Sequence, residues 1–310
     1  MIGGLRYDRL LSVALFSLRR DLAGNQHRSI PVLMYHSIGM EDEAEVRPYY
    51  RQVTSPTVFR SHMEYLHRHG FEACSLIEAL AVLESSTTTA SWQVVITFDD
   101  GYRDFHQEAF PVLQELGFSA TVFLPTSFIG STPRQLNGRE CLTWQNVREL
   151  QREGISFGSH TVSHPRLQGL SRDAIHKEIT DSKKAIEDKT GTAVHSFAYP
   201  YAFPQTDVAF RRMLRTMLQE AGYTSGVCTA VGRVDGHSDP YFLARLPIND
   251  GDDEALFRAK LAGAYDWVGH CQSVFKWTRS LLPAWIGQQY CRWSVPGSCD
   301  GKRAASQSHV

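Results

Sequence analysis

Asp99 and Asp100 stand side by side in TFDDGY (97–102), at the end of the apolar run VVITF (94–98). Two neighbouring carboxylates at the edge of a core repel one another and lose hydration, so they need partners, and a cation is the common one. A plain Asp-Asp-Gly turn is the other reading. His160 and His164 lie four apart in HTVSH (160–164), which closes a second run, ISFGS (155–159), with Pro165 just after. Among 13 histidines such a spacing is weak by itself. Its place at a strand end, in the layer where the aspartates should lie, gives it weight. Two neutral imidazoles and a carboxylate form a three-ligand site with open positions, as in a catalytic zinc site rather than a closed structural one.

The elements that must position these groups alternate along the chain. Runs rich in branched and aromatic residues occur at 32–36 (VLMYH), 94–98, 120–124 (ATVFL), 155–159, 195–199 (HSFAY), 225–229 (SGVCT) and 243–248 (LARLPI). Most lack strict alternation, which fits strands buried on both faces of a parallel sheet. Between them, Ser55-Pro56 opens a helix and Ser75 to Glu78 makes a capping box. Helical stretches at 105–116, 144–153, 171–189 and 206–221 run into Gly117, Gly154, Gly191 and Gly222. About seven β/α units predict an α/β fold, either a closed, distorted (β/α) barrel or a doubly wound open sheet. Both gather function at the carboxyl ends of the strands.

The 310 residues carry 32 basic and 33 acidic side chains, so global charge gives no hold on nucleic acid. The six cysteines are scattered and form no CxxC pair, which argues for reduced thiols rather than a zinc ribbon or disulfide scaffold. No GxSxG, P-loop or GxGxxG run supports a serine hydrolase, NTPase or dinucleotide reading. The chain divides into an N-terminal segment (1–28) read as an amphipathic helix, a barrel (29–250), and a helical extension with a tail (251–310). The last holds Trp267, Trp277, Trp285 and Trp293. Peripheral membrane contact through either end stays open, with the cytoplasm the expected location because no convincing export signal is read.

TFDDGY followed by HxxxH resembles the polysaccharide deacetylase family, also called NodB-homology or carbohydrate esterase family 4. PVLMYHSI (31–38) resembles the start of its exopolysaccharide-associated branch, and FAYPY (197–201) its third motif, normally Arg-x-Pro-Tyr. The resemblance covers about 30–250. It implies a NodB-type barrel and metal-dependent deacetylation of an N-acetylated glycan. It assigns a divalent ion (Zn²⁺ first; Co²⁺, Ni²⁺ or Mn²⁺ otherwise) to Asp100, His160 and His164. Asp99 becomes the general base, and the Tyr201 main-chain N–H helps hold the oxyanion. The same metal chemistry would also serve another C–N bond, such as a cyclic imide or ureide. A barrel that binds glycan without turnover is a third reading.

Two departures bear on the site. Ala198 stands where the family arginine orients the catalytic carboxylate; Arg245, near the end of the last strand, is either its replacement or an ordinary core-edge arginine. The family's closing Leu-x-His motif, source of the general acid, is missing. His36 ends the first strand, which neighbours the last in a closed barrel, and histidine has the right intrinsic pKa. His62, His67 and His69 read as a solvated helix face. Phe203 and Trp144 read as packing residues or sugar contacts.

Overall fold

The computed structural model describes residues 6–19, 29–41, 43, 45–85 and 92–281. Seven parallel strands close a barrel: β1 (Val32–Tyr35), β2 (Trp92–Phe98), β3 (Thr121–Leu124), β4 (Ser156–Ser159), β5 (Ser196–Ala198), β6 (Ser225–Val231) and β7 (Leu243–Pro247). The ring runs β1-β2-β3-β4-β5-β6-β7, and β7 returns to β1 with Leu246 opposite Leu33. On its other side β1 pairs with β2, Val32 opposite Val95. Closure excludes the doubly wound sheet. A further strand, Phe71–Ala73, pairs with the start of β2 outside the ring.

Side-chain parity then decides what faces the lumen. Val32, Val95, Phe123, Ala198, Val227 and Leu243 pack together inside, with Leu76 and Ala79 plugging the base. Leu33, Tyr35, Ile96, Phe98, Val122, Leu124, Phe197 and Leu246 face outward into the larger core under the helices. Gly158 makes room inside: a Cβ there would stand 2.4 Å from the Phe123 ring.

The surrounding helices are α1 (Tyr7–Arg19), α2 (Pro56–Arg68), α3 (Leu76–Glu84), α4 (Phe110–Leu116), α5 (Trp144–Arg152), α6 (Arg172–Thr190), α7 (Val208–Glu220), α8 (Glu254–Leu261) and α9 (Asp266–Leu281). Ser55 caps α2, and Ser75 with Glu78 forms the expected capping box of α3. Two starts differ from expectation. The stretch 105–116 is a π turn (Phe105–Ala109) leading into α4, since Phe110 N–H donates to Phe105 O and Pro111 has no N–H to continue an ordinary turn. α7 begins at Val208, because Asp207 is its N-cap.

α1 lies against the carboxyl-terminal helices. Arg6 bonds Gly251 O and pairs with Asp8 and Asp252, Tyr265 Oη–H donates to Asp8, and Trp267 Nε1–H donates to Ser12 Oγ. Its outer face carries Tyr7, Leu10, Leu11 and Leu18, while Ser12 is buried and Asp8, Val13, Leu15 and Phe16 are half-buried. No helix among the described residues is long and apolar enough to cross a membrane. Trp285, Trp293, Cys291, Cys299, the tail and the Trp277 side chain lie outside the described residues.

Candidate active site

Asp99 follows the last residue of β2 and shares the inward parity of Val95 and Thr97. Its N–H donates to Tyr35 O, which ties the tip of β2 to β1. Asp100 then turns in the left-handed region at φ 69°, followed by Gly101 at 58°. A Cβ on Gly101 would meet Leu124 at 2.8 Å, so the glycine of the DDG run serves both the turn and the close approach. The turn sends Asp99 toward the seam of the barrel and Asp100 toward β4.

Arg245, on β7 with the parity of Leu243, is fully buried and grips Asp99 from the facing strand. Its two terminal nitrogens donate to Oδ1 and Oδ2, each at 2.7 Å. A third bond runs from Nε to Cys228 O, and one terminal nitrogen also reaches Thr97 Oγ1. Burial alone would raise the Asp99 carboxyl. Arg245 outweighs it, with His160 and His36 adding, so the pKa lies below the ordinary value. A buried, forked Arg–carboxylate pair fixes both charge and orientation.

His160 and His164 come from the tip of β4. His160 Nδ1–H donates to Ala198 O at 2.8 Å, which leaves Nε2 with a free lone pair. The two Nε2 atoms are 3.2 Å apart, and Asp100 Oδ1 lies 3.5 Å from His160 Nε2 and 3.1 Å from His164 Nε2. Asp100 Oδ1 is a buried acceptor without a hydrogen bond. A tetrahedral ion with bonds of about 2.1 Å has ligand–ligand edges of about 3.4 Å, so these three atoms fit one ion. All three residues are buried and offer ligand atoms within 4.8 Å of one another. Burial pushes the Asp100 carboxyl up, but the two imidazoles hold it well below the ordinary range; His160 is held above its ordinary value by Asp100 and Asp99 despite burial. The site is thus electrostatically set for positive charge.

His36 stands at the end of β1, its Nε2 3.9 Å from Asp99 Oδ2. Burial lowers its pKa by more than Asp99 and Asp100 raise it. Tyr201 follows β5 at φ 60°, with its ring centroid 4.9 Å from that of His164. Thr229 pins this loop: its hydroxyl donates to Tyr201 O and accepts from Phe203 N–H. Phe203 packs against Tyr199 and Phe242 beneath the loop.

Asp99, Asp100, His160, His164, His36, Arg245 and Tyr201 therefore meet at one mouth, the carboxyl end of the barrel. One histidine assignment fails. His62 is buried, stacked on Phe257 at 4.1 Å between centroids and bonded to Asp252 O, while His67 and His69 are exposed. Thr97, Thr229 and Glu178 are supports that the sequence does not single out; Glu178 lies within α6 and its partners are in another element.

A family model described as polysaccharide deacetylase matches residues 86–226. YxkH of Bacillus subtilis (strain 168), named as a polysaccharide deacetylase, is 30% identical over 230 residues, 74% of this chain and 75% of its own. The chain belongs to the polysaccharide deacetylase family. A poly-beta-1,6-N-acetyl-D-glucosamine N-deacetylase of Escherichia coli O157:H7 is 30% identical to this deacetylase over 156 residues, 46% of this chain and 22% of that protein. Among solved structures, the deacetylase PplD of Streptococcus pyogenes, in complex with acetate, matches with TM-score 0.65 at 25% identity, covering 75% of this chain and 98% of that one. The closed seven-stranded barrel and its class of enzyme, a deacetylase, accord with these relatives.

Proposed function

We propose that this deacetylase removes N-acetyl groups from an amino-sugar polysaccharide, of the β-1,6-linked N-acetylglucosamine type named for its Escherichia coli relative. The observation that carries the reading is the buried Arg245–Asp99 fork beside three convergent ligand atoms. Asp100, His160 and His164 would hold one divalent ion, Zn²⁺ first by its preference for imidazole and carboxylate in a three-ligand open site. When bound, such an ion supplies Lewis acidity and a water whose pKa falls from about 16 toward 7.

The remaining work belongs to the chain's own side chains. Asp99 takes the proton of the attacking water, and Arg245 keeps its carboxylate ionised and unable to rotate away. The Tyr201 main-chain N–H orients the acyl oxygen. His36 gives a proton to the departing amine; its lowered pKa makes the imidazolium a ready donor, and Asp99 is close enough to help recharge it. The arginine missing at Ala198 leaves open a barrel that only binds glycan, and Arg245 reaching the Asp99 carboxylate from β7 argues against that reading.

The test is acetate release from β-1,6-linked N-acetylglucosamine oligomers. Release that stops on chelation and returns with Zn²⁺ is expected. Metal-loaded protein that binds these oligomers but frees no acetate from them or from other N-acetylated glycans would overturn the proposal.

A further inference from the structure

Between the two imidazoles, the donors of the loop 161–163 that face α6 converge on a single carboxylate. Glu178, on α6, accepts from Val162 N–H at 2.7 Å and Ser163 N–H at 2.9 Å through Oε2, and from Ser163 Oγ–H at 2.6 Å through Oε1. Three donors from two consecutive residues converge on one side chain, and those residues lie strictly between His160 and His164. One turn further along the same face of α6, Ser182 Oγ hydrogen-bonds Ser159 Oγ at 2.6 Å, immediately before His160. α6 thus grips the ligand segment on both sides of its first imidazole.

The segment needs the grip. Thr161 and His164 both sit in the left-handed region, at φ 70° and 54°, which costs a residue with a Cβ about 1–2 kcal/mol. Within the loop, Thr161 N–H reaches Ser159 Oγ and His164 N–H donates to Thr161 Oγ1. These bonds are local; the loop is placed on the barrel by Thr126 and Ser127 N–H on its carbonyl side, at 3.1 Å and 2.9 Å, and by Glu178 on its N–H side. Bonds to an ionised carboxylate are about twice as strong as neutral ones, and they come from a helix packed behind β4.

We propose that Glu178 is a positioning residue for the metal site: its carboxylate holds the backbone of 162–163 so that both Nε2 atoms face Asp100. The inference rests on the metal reading above and adds a residue outside the ligand set. It touches neither the ion nor the substrate.

The experiment measures Zn²⁺ affinity of the full chain by competition with a chromogenic chelator, for wild type, Glu178→Ala, Glu178→Gln and Ser163→Ala. Circular dichroism and thermal unfolding of the metal-free proteins report folding separately. Glu178→Ala is expected to lose roughly 10–100-fold in Zn²⁺ affinity, the span usual for residues that orient ligands. Glu178→Gln, which keeps one acceptor oxygen and is the milder change should the alanine variant not fold, is expected to fall between. Ser163→Ala, which keeps both backbone bonds, should stay near wild type. Raising Zn²⁺ to saturation should recover much of the lost turnover, as a shift in occupancy requires. A folded Glu178→Gln or Glu178→Ala protein that is less stable yet binds Zn²⁺ within twofold of wild type overturns the inference alone. Wild type that takes up no divalent ion overturns it together with the metal reading.

Discussion

Arg245 and Asp99 are both out of water, so breaking the pair leaves a charge without compensation. Arg245→Met should cost about 3–5 kcal/mol in denaturant unfolding, and acetate release should fall with it. Arg245→Lys separates the two effects: it keeps the charge but not the fork, so turnover should drop more than stability. Asp99→Asn should lower kcat/KM at least 100-fold, in line with loss of a general base, while leaving Zn²⁺ uptake intact. An Asp99→Asn protein of unchanged turnover would remove the base assignment. That Ala198 is fully buried inside the barrel explains why Arg245 is no idle addition: the position that carries the family arginine is already packed against apolar neighbours.

At the scale of elements, the tip of β1 is fastened by Asp104. Ser37, next to His36, donates its hydroxyl to the Asp104 carboxylate. Burial raises the Asp104 pKa to about 6, with Ser37 and the Ile38 backbone opposing. Its folded pKa exceeds its unfolded one, so the folded state binds more protons between about 4 and 6. Stability should therefore decline as pH rises through that window. Asp104→Asn should remove that slope, worth about 1–2 kcal/mol, in unfolding midpoints compared at pH 4.5 and 7.5. All seven strands are legible, because runs of branched and aromatic residues between helix stops identify buried strands. Register is not. Nothing in LARLPI says which residue faces inward, and Arg245 meets a partner 146 positions away. The His62 misreading was avoidable: Phe59, His62, Met63 and Leu66 follow the spacing of a buried helix stripe, and all four are buried. Glu178 gives no such signal, since its partners, two backbone N–H groups and the Ser163 hydroxyl, lie in another element.

For the molecule as a whole, one aspartate links both ends of the described chain. Asp252 receives Lys260 Nζ at 2.8 Å, Asn249 N–H at 3.0 Å and Arg6 at 3.3 Å, with Asp252 and Lys260 both buried. Asp252→Ala would strand Lys260 and loosen α1, so unfolding free energy should fall by about 3–5 kcal/mol with cooperativity preserved. Beside it, burial holds the His62 pKa below its ordinary value. The unfolded chain then binds the extra proton, and stability should fall as pH drops below about 6.5, a loss that His62→Gln should reduce. Zn²⁺ at 100 times its dissociation constant should stabilise the protein by about 2.7 kcal/mol, read as a raised midpoint that chelation reverses.

Asp100, Thr161, His164 and Tyr201 account for four of the five non-glycine residues with left-handed backbone among those described, and all four rim the same opening. Laboratory evolution for heat resistance alone would be drawn to glycine at such places, Thr161 first. That swap would relax the main chain and erase the hydroxyl that receives the His164 N–H. Hardier descendants of this barrel should therefore arrive slower, unless selection also scores the acetate they set free.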